Sequence, residues 1–154
     1  MNDLSSLVLE DHNRLRELFR SAIAEPDEHA LQSLVRALVI HEGVEEEMLE
    51  DAATGLGAEA VRHSLQAQQD HQQLLARVAA LGRGEEQESL VALERTLLVH
   101  LEHEERVLLP AIAHAAGPAG MARLGAGYEQ TRADHHRGEG PFRPEGVIGA
   151  TALT

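Results

Sequence analysis

Two sets of metal-ligating residue types recur in this chain at one fixed offset. His12, His41 and Glu45 form the first set; His71, His100 and Glu104 form the second. Each member of the second set follows its counterpart by 59 residues, and Asp11 and Asp70 precede the leading His in both. Within a set, 29 residues separate the two His and four separate the second His from its Glu. Four residues make about one helical turn, so that His and Glu share a helix face. The longer interval has room for a helix to end, turn and return. The chain therefore reads as a duplicated helical hairpin.

Apolar spacing and punctuation place four long helices. The first runs from about Leu4 to Ala24, with Asp3 as N-cap and Glu25-Pro26 as its end. Its inner face is Val8, His12, Leu15, Phe19 and Ile23. The second starts near Asp27 and stops before Gly55-Leu56-Gly57, with a stripe of Leu31, Leu34, Leu38, His41, Glu45, Met48 and Ala52. The third runs from about Ala58 to Leu81 and closes at Gly82; its stripe is Val61, Leu65, Gln68, His71, Leu75 and Val78. The fourth runs from about Gln87 to Ala115 and ends at Gly117-Pro118, with Leu90, Leu93, Leu97, His100, Glu104, Leu108 and Ala111 inward. Pro110 is expected to kink it near its end.

Short loops between long helices favour an up-down-up-down four-helix bundle. A short extra helix is expected from Pro118 to about Ala133, and Gly, Pro and charge then mark a loose tail. Residues 1–116 are thus read as the bundle, and residues 117–154 as the extra helix and tail.

Composition agrees with an all-α fold. The 154 residues suit one domain, and aromatics are only 2%, too few for an ordinary sandwich or barrel. The absence of cysteine excludes disulfides, thiolate metal sites and cysteine nucleophiles, and suits a cytoplasmic location. No signal peptide or membrane span is expected, because early charges interrupt the N-terminus and no apolar run reaches ~18 residues. The formal net charge of −13 argues against nucleic-acid and anionic membrane partners.

The six repeated residues belong at one height. A helix rises ~1.5 Å per residue. From His12 to the end of its helix is ~12 residues, and from the start of the next helix to His41 is ~13, so antiparallel packing aligns them. The same counting brings His71 and, more loosely, His100 to that cross-section. Glu45 and Glu104 lie one turn further along. All six replace apolar residues in core stripes. Burying carboxylates and imidazoles without partners costs several kcal/mol per ion. Divalent cations remove that penalty by taking imidazole nitrogen and carboxylate oxygen together. Six donors exceed one closed tetrahedral site and suit two adjacent ions bridged by carboxylates.

A single His-x-x-x-Glu carries little information, and a lone core His is usually a hydrogen-bonded packing residue; the signal is the full duplicated set. Glu42 flanks the inner face as a spare ligand. The Glu45-Glu46-Glu47 and Glu85-Glu86 runs read as solvated faces, with Glu45 alone pointing inward. His29, His63, His103, His114, His135 and His136 share no pattern and read as surface or loop residues. Tyr128 is a candidate to close the site from the extra helix, although nothing in the sequence places it there.

The segment from His100 through Leu101, Glu102, His103, Glu104, Glu105, Arg106, Val107, Leu108 and Leu109 to Pro110 resembles the fourth-helix signature of the hemerythrin-like, or HHE cation-binding, family. His41 through Leu49 resembles its second-helix signature, and Asp11-His12 and Asp70-His71 resemble its marks on helices one and three. The resemblance covers about residues 3–115. It implies a non-haem pair of iron ions with an oxo or hydroxo bridge. His12, His41, His71 and His100 would be terminal ligands, and Glu45 and Glu104 bridging carboxylates. It also implies a small-molecule partner: oxygen, peroxide or nitric oxide. The chain departs from the oxygen-carrying members in having Leu75 where they place another His, and in carrying Glu104 four residues after His100 where they have an Asp at five. Glu105 occupies the fifth place and is a competitor that the internal repeat disfavours. The departures point to redox turnover, of a catalase- or peroxidase-like kind, ahead of reversible oxygen carriage. A non-catalytic oxygen- or iron-binding sensor is the alternative.

Overall fold

The computed structural model describes residues 2–80 and 86–138; for His71 and Leu75 the description extends to the backbone alone. The described residues are helical, with no strand among them. Helix α1 spans Leu4–Ala24, α2 Glu28–Thr54, α3 Ala58–Ala80 and α4 Glu86–His103. A π-helical turn, Glu104–Leu108, follows and leads into α5, Leu109–His136. No described helix is long and apolar enough to cross a membrane.

The punctuation works through side chains. Asp3 caps α1, accepting the Ser6 backbone N–H at 2.9 Å. Asp27 does the same for α2, accepting from Ala30 N at 2.7 Å. Each satisfies a donor left over at a helix start. The expected Gly82 stop and the tail lie outside the described residues.

Helix α2 packs against α1, α3 and α5, and α3 packs against α4. The apolar residues form two layers. One gathers Leu15, Phe19, Leu34, Leu38, Leu74, Leu93 and Leu97, among others. The other gathers Leu4, Val8, Val44, Leu108, Ile112 and Tyr128, among others. On each of three helices the polar donors sit where one layer gives way to the other. His12 lies between Val8 and Leu15, His41 between Leu38 and Val44, and His100 and Glu104 between Leu97 and Leu108. The fold thus closes apolar material above and below a polar cross-section.

Two sequence expectations need correction. On the third helix Leu65, drawn in the inner stripe, is 54% exposed, whereas Ala60, Ala67 and Leu74 are buried. Those residues recur every seven positions, and two of the three are alanines, where the eye looks for leucine. The fourth helix is also not continuous α-helix to Ala115. Its π turn ends at Leu109, whose N–H donates to Glu104 O, immediately before Pro110. Proline lacks an N–H and crowds the carbonyl four residues back; a widened turn takes up that conflict. Gly117 then breaks α5 with φ 71 and ψ 173, a conformation open essentially to glycine alone.

Candidate metal centre

Six buried donors meet on the polar cross-section. His12, Glu45 and Glu104 are fully buried, and His41, Glu42 and His100 nearly so. They come from α1, α2, α4 and the π turn. One donor atom each from His12, His41, Glu45 and Glu104 lies within 4.8 Å of the others. Glu42, Glu45 and His100 form a second such group, with Glu45 common to both. His12 Nε2 is 3.1 Å from Glu45 Oε1 and 3.8 Å from Glu104 Oε1. His41 Nε2 is 2.8 Å from Glu45 Oε1, and His100 Nε2 is 2.6 Å from Glu104 Oε1.

Every described imidazole in the cluster has the same orientation. Its Nε2 faces inward, and its Nδ1 faces an acid on the outer side. His12 Nδ1 meets Glu105 Oε1 at 2.8 Å, His100 Nδ1 meets Asp70 Oδ2 at 3.3 Å, and His41 Nδ1 lies 3.8 Å from Asp11 Oδ2. With a proton on each Nδ1, the inward nitrogens present lone pairs, the tautomer a metal needs. The donors fit a cation on a second count. Both oxygens of Glu104 and both ring nitrogens of His41 are buried without a well-formed hydrogen bond, although charged neighbours stand within contact distance.

A family model for the hemerythrin HHE cation binding domain matches residues 3–112. The chain belongs to this hemerythrin family. No curated protein and no solved structure gives a match. The family binds cations, and the His/Glu cluster of this HHE domain is compatible with one.

The electrostatics of the HHE cluster describe its demand for positive charge. Burial opposes the His100 imidazolium, but Glu104, Glu42 and Asp70 outweigh it and raise the group to about 11. Burial likewise opposes His41, and Glu45, Asp11 and Glu42 raise it well above its usual value. Burial and then the Glu45 charge push Glu104 up to about 7. Glu45 goes the other way: burial opposes its charge, but His41 holds it well below the usual carboxylate range. Protons thus supply the positive charge that a bound cation would otherwise bring.

His71, the remaining predicted ligand, has a side chain outside the described residues. Its position follows Ala67 by four and precedes Leu74 by three, spacings that share a helix face. Glu105 does not join the inner donors; it turns to the outer nitrogen of His12 and to Arg16 Nη2 at 2.8 Å. The π turn lets adjacent residues Glu104 and Glu105 serve two sides of one imidazole.

Sequence reasoning missed several groups. Asp11 and Asp70 stood out as a repeat and as family marks but without a role; each faces the Nδ1 of the following helix's His. Asp11 is itself gripped from α5, accepting from Tyr128 Oη at 2.7 Å and from Arg132 Nη1 at 2.7 Å. Tyr128 and Arg132 lie beyond the matched residues 3–112, and no spacing rule connects residue 11 to residue 128. His135 corrects the expectation of a surface or loop residue: it is 3% exposed and pairs with Glu47 Oε2 at 2.9 Å.

Proposed function

We propose that residues 1–116 form an up-down-up-down bundle holding two iron ions, with residues 117–154 appended as a short helix and tail. His12, His41, His71 and His100 would be terminal ligands, and Glu45 and Glu104 bridging carboxylates. The observation that carries this reading is the buried layer of His12, His41, Glu45, His100 and Glu104 with inward Nε2 atoms. Glu42 stands beside His100, with Oε2 3.7 Å from Nε2, and is an added donor to one half of the layer.

Such a pair supplies one- and two-electron redox chemistry with peroxide, oxygen or nitric oxide. The protein's part is to hold the donors in place, exclude bulk water and fix the imidazole tautomers through Asp11, Asp70 and Glu105. We assign turnover of peroxide in the cytoplasm ahead of reversible oxygen carriage, because Leu75 withholds the imidazole that oxygen-carrying relatives use. That leaves one more position for an exchangeable ligand.

The test is metal analysis of the purified chain, followed by peroxide consumption and oxygen evolution by the ferric form. The expected result is close to two iron per chain and peroxide loss well above that of an equal amount of free iron. One metal or none after anaerobic iron loading would overturn the centre. A long-lived oxygenated spectrum, reversed on removing oxygen and without peroxide turnover, would replace the enzyme with a binding protein.

A further inference from the structure

A cavity of about 300 Å³ opens beside the cluster, bounded by α1, α2 and α5. Asp11 and His41 line its inner side, and Arg14, Arg36, Arg132 and His136 also line it. The three arginines among them run against the chain as a whole, which has 13 basic residues against 26 acidic ones. Among the described residues Asp11 is the one acidic group lining the cavity, and its two oxygens already accept from Tyr128 and Arg132. Arg14 and Arg36 make no ion pair with any described residue. Glu10 and Glu17 border the adjoining outer cleft beside Arg14 rather than the cavity itself.

The positive field reaches His136. Burial lowers its basicity first, Arg14 adds most to that, and Arg132 and Arg36 add further against the opposing pull of Asp11. Guanidinium groups offer a planar fork of donors that matches carboxylate and phosphate oxygens. Arg132 spends one of its five donors on Asp11 Oδ1. The volume is at the small end of ligand pockets, which suits a compact molecule.

We propose that this cavity is a binding site for a small oxyanion, a phosphate or a carboxylate, held by Arg14 and Arg36 with Arg132 behind them. It borders the inner donors at His41 and requires no ion among them.

Isothermal titration calorimetry tests it on the full chain, with inorganic phosphate in one arm and citrate in the other, at an ionic strength fixed with sodium chloride. Saturable binding of one anion per chain is expected in at least one arm, and the arm that responds identifies the class. The exposed double variant Arg14→Gln/Arg36→Gln should weaken binding at least tenfold while keeping the helical circular dichroism of the parent. Arg95→Gln, on the exposed side of α4, should leave binding unchanged. No saturable heat with either anion would overturn the proposal, as would equal affinity in the double variant. Binding that disappears when the protein is treated with chelator would also overturn it, by assigning the anion to a metal.

Discussion

His100 and Glu104 stand 2.6 Å apart, and their protons decide how the metal-free chain responds to pH. His100 is raised from 6.5 to about 11, so its stabilising contribution is complete below about 6.5 and lost as pH rises through about 11. Glu104 is raised from 4.5 to about 7, so its contribution is complete below about 4.5 and lost through about 7. Both losses run the same way. The chelator-treated protein should therefore melt at progressively lower temperature as pH increases from 5 to 9. Metal affinity should rise over the same range, since the ligands bind as deprotonated groups. A melting temperature that stays level or climbs in chelator would contradict the proton balance described for the cluster. At single positions, His41→Ala and His100→Ala should each lower the iron content and the melting temperature. His29→Ala, on the exposed start of α2, should alter neither. Equal iron in all three variants would remove His41 and His100 from the ligand set.

Helical elements were legible in the chain to the extent that their ends are chemical and local. Asp3, Asp27 and Pro26 announce themselves, and α1 begins and ends where those residues put it. The buried face of α3 was harder to read because it uses Ala60 and Ala67, and alanine is as common outside as inside. The π turn was less legible still. Pro110 signals a disturbance but does not say whether a helix bends, stops or widens. The repeat displayed the six donor letters openly, whereas Tyr128, Arg132 and Glu105 act through contacts that no local rule predicts. Helix α5 supplies two of those three, and its seat is tight. A β-carbon at Gly125 would come within 2.7 Å of Asn2 O and 2.9 Å of Asp3 C, both backbone atoms. Gly125→Ala should therefore destabilise by about 1–3 kcal/mol through overpacking, despite alanine's better helix propensity. Gly55→Ala is the contrast, because its nearest neighbour would be 3.8 Å away; calorimetric melting of the two variants should separate them by several degrees.

Across the whole molecule, two apolar layers flank a layer of buried donors, so occupancy of the inner donors and stability of the fold are linked. A ligand that binds only the folded chain adds about 2.7 kcal/mol at one hundred times its dissociation constant. Iron-loaded protein should melt several degrees above the same protein stripped with chelator, and readdition should restore the difference. Melting temperatures that coincide would place any bound iron outside the core. The last consequence concerns time. Tyr128 and Asp11 are 117 residues apart in the chain, so closing their bond alone costs loop entropy, and it is expected to form after the folding barrier. Contacts made after the folding barrier govern unfolding rather than folding. Tyr128→Phe leaves a partly buried Asp11 oxygen short of a donor, a loss of roughly 1–2 kcal/mol. It should quicken unfolding about 5- to 30-fold while the refolding rate stays as it was. Stopped-flow traces showing slower refolding instead would mean that the two ends of the chain meet early.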